Sequence, residues 1–213
     1  MRLLTRADQI PHFVQGPSVL DVGCAGGLAT YESRYWLHGQ LLERFPQVAG
    51  IDNDEVKVRE LTARGYEHVT VADAEAFRLD ATFDTVVAAD IIEHLENPGS
   101  FLRCAAAHLK EHGQLLITTP YPFALLFSLY AVLKFPHTCS SPYHTCWYCP
   151  VTLTTLAGRC GLEVVHWQLV EDYRPDLASG WYRLFYRGLS LVKPFCPRRL
   201  RCNALLFQLR IAT

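Results

Sequence analysis

The sequence has little net charge and no apolar run long enough to cross a membrane. Its 213 residues contain 20 Lys and Arg against 21 Asp and Glu, a formal net charge of −1. A near-neutral chain gives no overall electrostatic reason to bind nucleic acid or an anionic membrane. The apolar segment 123–135 is shorter than the about 20 residues that a membrane-spanning helix needs. We therefore expect no nucleic-acid partner and no transmembrane segment, while the segment leaves a weak membrane-surface contact open.

Targeting signals and internal repeats are also missing. Residues 1–13 contain no apolar run followed by a small-residue cleavage site, so we expect no signal peptide and a cytoplasmic location. The eight cysteines are then expected to be reduced thiols rather than disulfides. Half of the residues are apolar, which suffices for one domain with a sizeable core. The oligomeric state is not indicated.

What the sequence does contain is a series of acids that follow short apolar runs. SVLDVGCAGG, residues 18–27, delivers Asp21 and then a turn of small residues. A ligand can approach such a backbone closely because few Cβ atoms stand in the way. A second apolar run ends in Asp52, an acid that suits the two hydroxyls of a ribose. A third acid follows at Asp73. The series predicts a nucleotide-like ligand at one edge of a sheet.

Strand-like and helix-like segments alternate along the chain, which predicts an α/β fold. Continuous apolar strands separated by helices indicate a Rossmann-like, doubly wound and mostly parallel sheet with helices on both faces. The expected strands are 18–22, 48–52, 68–71, 85–89, 114–118, 162–169 and, as an edge strand, 204–211. The expected helices are 29–45, 54–64, 101–110 with Ser100 as its cap, 123–135 and 151–159.

Motifs over residues 18–120 resemble the class I S-adenosylmethionine-dependent methyltransferases. The resemblance extends to the small single-domain branch that includes ubiquinone-pathway O-methyltransferases, and it is carried by DVGCAGG, GIDND, VADAEAF, FDTVVAADIIEHLENPGSFL and HGQLLITTP. One departure is Ala25, where the commoner loop has Gly; alanine is tolerated if its φ is negative. The resemblance implies S-adenosylmethionine as cofactor. The cofactor-binding residues that it implies are Asp21, Gly23, Cys24, Ala25, Gly26, Asp52, Asn53, Asp73, Ala74 and Ala89.

The expected organisation is a single methyltransferase domain over 1–213. Its cofactor-binding core spans 18–120, a lid and acceptor-side segment spans 121–160 between strands five and six, and C-terminal strands span 162–213. The aromatic and apolar lid suggests a small, partly hydrophobic acceptor. The resemblance implies methylation at oxygen, whereas the residues themselves leave oxygen, nitrogen and carbon open. The segment 123–135 is expected to border the acceptor, so that its deletion would remove activity and leave cofactor binding.

Two rival functions share this fold. A NAD-dependent dehydrogenase would need a third glycine near Tyr31 or Glu32, where the sequence has none. A non-catalytic or repurposed nucleotide-binding domain remains the alternative, because fold alone does not establish function. The cofactor that co-purifies with the protein would distinguish a methyltransferase, a dehydrogenase and a non-catalytic domain.

Residues 90–94 form an acid-rich group after the fourth strand. If Asp90 begins a helical turn, then Asp90, Glu93 and His94 share one face and could bind a divalent ion. Related methyltransferases bind metal with a similar acid-x-x-Glu-His. Here Asp replaces the first Glu and many relatives carry EHL without metal, so we expect no metal and a catalytic role for His94.

A second histidine, His144, resembles the residue that faces the acceptor in such enzymes. A neutral imidazole there could remove a hydroxyl proton, complete a metal set or only fix the lid by a hydrogen bond. We take His144 as catalytic together with His94. Nearby Cys139, Cys146 and Cys149 contain only one Cys-x-x-Cys pair, so buried inert thiols are favoured over a zinc site.

Overall fold

The computed structural model describes residues 5–26, 35–132, 141–172, 184, 188, 191 and 195–212. Seven strands form the framework: β1 Ser18–Val22, β2 Gln47–Asp52, β3 Val69–Val71, β4 Phe83–Ala89, β5 Leu109–Pro120, β6 Leu162–Val170 and β7 Ala204–Ile211. The helices are α1 Arg6–Gln9, α2 Leu37–Arg44, α3 Glu55–Ala63, α4 Pro98–Ala107, α5 Leu125–Val132 and α6 Pro150–Arg159. Two 3₁₀ turns, Ile10–His12 and Ile92–His94, and a short helix, Arg198–Arg201, complete the described elements.

The strands form one sheet in the order β3-β2-β1-β4-β5-β7-β6. Strands β1 to β5 run parallel to one another, whereas β7 runs antiparallel to both β5 and β6. The direction of winding reverses between β1 and β4. Ligands of such sheets bind beyond the carboxyl ends of the strands at this reversal, so the fold places a candidate site after β1 and β4. The predicted Rossmann-like class is confirmed.

The central strands are buried on both faces, as their continuous apolar runs predict. Leu20 and Val86 belong to a cluster that includes residues of α4 and α6, whereas Val19 and Val87 belong to a cluster with Leu41 of α2. Successive strand residues point to opposite faces. Helices therefore cover both faces of the sheet and hold its central strand ends in fixed positions.

Several element bounds differ from those expected. Helix α4 begins at Pro98 rather than at residue 101, and Asn97, not Ser100, is its N-cap residue. Proline suits the first turn of a helix because its φ is already helical. An N–H at this position would have no partner within the helix, so proline costs no hydrogen bond there. Strand β5 begins at Leu109, so the expected helical end 108–110 was wrong. The expected helix 29–45 is seen as α2, and residues 27–34 lie outside the described part.

The expectation that 204–211 forms an edge strand was wrong. Strand β7 lies between β5 and β6, paired with both, and β6 is the edge. The reason is the run Ala204–Phe207, whose residues are all buried. A strand buried on both faces is stabilised in the interior of a sheet rather than at its edge.

The segment after β5 contains α5 at the expected position between strands five and six. Its residues Leu125–Val132 are helical. Of the rest of the expected helix 123–135, Phe123 and Ala124 are not helical, and residues 133–135 lie outside the described residues. Across the described residues, no helix combines the length and apolar character required to span a bilayer. The lid role of this segment stays a prediction.

Candidate active site

A tight loop follows β1, and its backbone is held by the neighbouring strand. The N–H groups of Gly23 and Cys24 both donate to the carbonyl oxygen of Ile51, at 2.8 and 3.1 Å. Gly23 has a φ of +83°, and a Cβ there would lie 2.3 Å from Cδ1 of Ile91. Only glycine fits this conformation and this approach. The contact brings the loop against the chain that follows β4.

Asp52 ties the loop to the end of β2. Its Oδ2 accepts the N–H of Ala25 at 3.0 Å, and its Oδ1 accepts the N–H of Asp54 at 3.0 Å. The residue is 8% exposed. Among the described residues, Asp90 alone has a positive φ without being glycine, so the backbone at Ala25 is not strained. The condition for tolerating alanine in this loop is therefore met. The carboxylate predicted to bind a ribose therefore also fixes the loop, a role the sequence did not reveal.

Asp21 lies beneath the same loop, paired with a histidine that was not predicted. Its Oδ2 lies 3.1 Å from Nδ1 of His38 in α2. Burial raises the pKa of Asp21, the hydrogen bond from His38 opposes this, and the nearby charge of Asp52 adds to it. Two carboxylates and an imidazole thus lie under the loop.

The other cofactor residues lie along the same sheet edge. The N–H of Ala72 donates to the carbonyl oxygen of Asp52 at 3.0 Å, which brings the segment after β3 beside the end of β2. Asp73 is exposed, and its Oδ1 accepts the N–H of Glu75 at 2.9 Å. Asn53 is exposed, and Ala74 and Ala89 are half-buried. No contact with a ligand tests these assignments, which remain predictions.

Asp90 does not share a helical face with Glu93 and His94, so that expectation was wrong. Asp90 has a φ of 57° and precedes the 3₁₀ turn Ile92–His94 rather than beginning it. Its carboxylate pairs with the guanidinium of Arg6 and accepts the hydroxyl of Thr118 at 3.2 Å. The left-handed conformation is one that Asp adopts more readily than most residues.

Arg6 was not predicted, because nothing near it in the sequence marks it. Its Nη2 lies 2.8 Å from Oδ2 of Asp172, just after β6, so it joins α1 to two strand ends. Burial by itself would lower the pKa of Arg6, but the attraction of Asp172 and Asp90 outweighs it and raises the pKa. The guanidinium is therefore a permanent charge that holds Asp90.

Glu93, His94 and His144 do come together. One ligand atom from each lies within 4.8 Å of the other two, and the rings of the two histidines are 4.7 Å apart. Thr145 makes this possible: its N–H donates to the carbonyl oxygen of Glu93 at 2.8 Å, and its hydroxyl donates to that of Leu95 at 2.8 Å. These bonds fasten the segment 141–149 to the 3₁₀ turn and place His144 beside His94.

The protonation of the two imidazoles follows from their partners. Nδ1 of His94 lies 3.2 Å from the carbonyl oxygen of Tyr143. A carbonyl only accepts, so the bond needs the proton on Nδ1 and leaves Nε2 free to accept in the neutral ring. Burial lowers the pKa of His144, and the neighbouring His94 lowers it further. His144 is therefore neutral at neutral pH, and its buried Nδ1 has no partner among the described residues.

Glu93 is a buried acid in the 3₁₀ turn Ile92–His94. It is 1% exposed, and neither side-chain oxygen is satisfied by the described residues. Burial raises the pKa of Glu93 to about 8, and repulsion by Asp90 contributes. The carboxyl group is thus mainly protonated at neutral pH unless a cation binds beside it.

This raised pKa predicts a pH-dependent stability. The folded protein keeps the Glu93 proton up to about pH 8, whereas the unfolded chain releases it near pH 4.5. The contribution of protonated Glu93 to the free energy of unfolding is therefore complete below pH 4.5. That contribution is lost as pH rises through about 8. We expect urea unfolding to show a loss on the order of 2–4 kcal/mol across this window. Glu93→Gln should remove this loss of stability, whereas the exposed Glu96→Gln should retain it. The same dependence of the free energy of unfolding on pH in the wild type and in both variants would contradict the prediction.

Aromatic side chains border the histidine pair on one side. The ring of Trp147 lies 5.9 Å from that of His144 and 5.0 Å from that of Phe127 in α5. Both contacts are edge-to-face, and Phe127 is buried. The segments on either side of residues 133–140 therefore form an aromatic wall beside His144.

Cys146 and Cys149 are free thiols, but both are half-buried, so the expectation of buried thiols was wrong for them. Cys149 is the N-cap residue of α6, and Cys146 packs beside the core. Cys139, the third cysteine of this group, lies outside the described residues.

Comparison with known proteins relates these features to methyltransferases. The family described as a methyltransferase domain matches residues 2–167. A ubiquinone biosynthesis O-methyltransferase from Azoarcus sp. (strain BH72) is 29% identical over 163 residues, which cover 70% of this chain and 66% of the relative. The chain spans between about half and two thirds of the length of such curated relatives.

Two solved structures show the same fold at low identity. A putative methyltransferase from Bacillus halodurans has a TM-score of 0.63 and 17% identity, covering 98% of this chain and 99% of its own. A magnesium protoporphyrin IX methyltransferase from Synechocystis, solved with S-adenosylhomocysteine, has a TM-score of 0.59 and 15% identity, covering 97% and 82%.

Proposed function

The chain belongs to the methyltransferase domain family, and from this premise we propose that it transfers a methyl group from S-adenosylmethionine to an oxygen of a small, partly hydrophobic acceptor. The family and the fold support S-adenosylmethionine as methyl donor. Curated relatives named for ubiquinone biosynthesis O-methylation support oxygen as the acceptor atom.

One observation carries the proposal: the loop Gly23–Gly26, here called the cofactor loop, is adjacent to the histidine pair His94 and His144. Cδ1 of Ile91 fills the space above Gly23, and Ile91 directly precedes the 3₁₀ turn that bears His94. A methionine moiety bound against the loop would therefore lie near the turn. Neutral His144 stands on the other side of His94, with the aromatic wall behind it. This arrangement suits a hydroxyl held on a flat apolar body.

The residues of the chain would bind, align and take up a proton. S-adenosylmethionine, when bound, supplies a methyl group whose transfer leaves a neutral thioether, so little covalent chemistry is asked of the protein. The acceptor oxygen forms a bond to the methyl carbon while the sulfur–methyl bond breaks. The hydroxyl proton passes to a free imidazole nitrogen of His144 or to Nε2 of His94. Asp52 and the loop hold the donor in line.

The group Glu93, His94 and His144 also fits a divalent cation. The unsatisfied oxygens of Glu93 and the unpartnered Nδ1 of His144 are the observations that favour this fit. Two imidazoles and one carboxylate suit a transition metal better than Mg²⁺, which prefers oxygen ligands. A bound ion would lower the pKa of an acceptor hydroxyl. Asp90, held by Arg6, would stand outside the ligand set.

Methyl-labelled S-adenosylmethionine tests the proposal. Incubation with fractionated metabolite extracts and with small hydroxylated aromatics should transfer label to an oxygen of an apolar acceptor. Trp147→Ala should raise the acceptor KM about tenfold, the scale of a lost aromatic contact, and leave the dissociation constant of S-adenosylhomocysteine unchanged. The exposed Trp167→Ala is the matched control. Binding of S-adenosylhomocysteine without any transfer would instead favour a non-catalytic domain, and absence of binding would refute the proposal.

A further inference from the structure

The imidazole of His38 is enclosed beneath the cofactor loop. His38 is 1% exposed and Asp21, its partner at 3.1 Å, is 3% exposed. Asp21 stands two residues before Gly23, where the loop begins. A buried carboxylate without a partner would take up a proton or move toward water. The pair therefore fixes both the position and the charge environment of the strand end that carries the loop.

The backbone at Gly50 is adapted to this imidazole. Gly50 pairs with Asp21 across β1 and β2. A Cβ at Gly50 would lie 2.8 Å from Cε1 of His38 and 2.6 Å from Sγ of Cys24. The missing side chain thus lets the histidine and the loop cysteine pack over the same point of β2. His38 is therefore connected to the loop through its packing with Cys24 as well as through Asp21.

Trp36, two residues before His38, holds the loop directly. Its Nε1 donates to the carbonyl oxygen of Cys24 at 2.8 Å, and its ring lies 5.6 Å from that of His38. Trp36 and Cys24 are both buried. The start of α2 therefore contacts the loop at its carbonyl and supports the acid beneath it.

We propose that His38 is a positioning residue for the methyl donor: acting through Asp21, it holds the loop Gly23–Gly26 in the conformation that binds the methionine part of the donor. His38 itself does not touch the ligand in this arrangement. The inference rests on the proposed function only for the identity of the ligand, and its test needs no acceptor.

Calorimetric titration with S-adenosylhomocysteine provides the test. His38→Phe fills the space but removes the hydrogen bond, and we expect affinity to fall about tenfold or more. His38→Asn keeps a donor near the position of Nδ1 and should restore affinity to within about threefold of the wild type. His68→Ala is the matched control: His68 lines a pocket of about 180 Å³ together with His38, is exposed and should bind as the wild type does.

A double-variant cycle identifies the route through Asp21. Asp21→Asn removes the buried charge, and in that background we expect His38→Phe to change affinity by less than about threefold. Equal effects of His38→Phe in both backgrounds would overturn the proposal, as would wild-type affinity in His38→Phe alone. If His38→Phe does not fold, His38→Leu, which also removes the hydrogen bond to Asp21, is compared in the wild-type and Asp21→Asn backgrounds instead. Failure of the wild type to bind would refute the proposed function instead.

Discussion

Replacing His144 with alanine is expected to lower kcat by about 10²–10⁴-fold, the usual contribution of a positioned acid or base. The lowered pKa of His144 keeps its imidazole neutral and able to take a proton at neutral pH. The dissociation constant of S-adenosylhomocysteine should stay within about twofold, because the described ring contacts of His144 are with His94 and Trp147 and not with the loop after β1. Rapid-quench turnover with a labelled donor measures the first quantity and calorimetry the second.

The pH profile separates a base from a structural histidine. With His144 as base, kcat should fall on the acidic side below its ordinary pKa of 6.5 and stay level above it. His94→Ala removes the neighbouring charge that lowers the pKa of His144, so the acidic limb should move to higher pH. Wild-type kcat in both histidine variants would contradict this prediction and leave alignment alone as the catalytic device.

Chelation distinguishes the two uses of the same three side chains. Without a metal, a chelator should not alter turnover, and Glu93→Gln should be milder than His144→Ala. With a bound ion, turnover should be lost on chelation, elemental analysis should find stoichiometric metal, and Glu93→Gln should be as damaging as either histidine variant. If an ion is bound, Asp90→Asn should spare its binding, because the Asp90 carboxylate pairs with Arg6 and lies outside the ligand set.

Replacing Asp52 with alanine is expected to weaken S-adenosylhomocysteine binding by about 2–3 kcal/mol, or roughly 30- to 150-fold in the dissociation constant. Two losses combine: the carboxylate expected at the ribose hydroxyls, and the anchor of the Ala25 N–H at 3.0 Å. The second loss leaves a buried backbone donor unpaired.

A nearby acid controls for charge and helix stability. Asp54 caps α3 through the N–H of Lys57 at 3.1 Å and has a lowered pKa caused chiefly by its hydrogen bond with the Lys57 side chain. Asp54→Ala should therefore reduce stability but change affinity by less than about twofold. Asp52→Asn should lose less than Asp52→Ala, since an amide oxygen can still accept from Ala25. Unchanged affinity in a folded Asp52→Ala variant would remove Asp52 from the site.

The fold was predictable from sequence because its signals are local. The apolar run Ser18–Val22, followed by small residues, specifies a buried strand and a tight turn, and the structure has both at those positions. The position of Asp52 at the end of β2 follows in the same way. Each depends on residues that are neighbours in the chain.

The site was only partly predictable because its partners are distant in sequence. Arg6 meets Asp90 across 84 positions and Asp172 across 166. Asp90 has a left-handed φ and precedes the 3₁₀ turn that contains Glu93, and its carboxylate is held by the distant Arg6. The pairing of His94 with His144 depends on Thr145 bridging to the carbonyl oxygen of Glu93. Periodicity along the chain contains no record of such contacts.

The late arrival of β7 has a consequence for synthesis of the chain. When a ribosome has released residues up to Val170, β5 and β6 have been made, but the strand that joins them has not. Both strands then offer unpaired backbone groups, and Leu205 and Phe207 are still missing from the core that they complete. A nascent chain in this state is exposed to edge pairing with other chains. The sheet therefore reaches its complete form only after residues 204–211 have been synthesised and have paired with both β5 and β6.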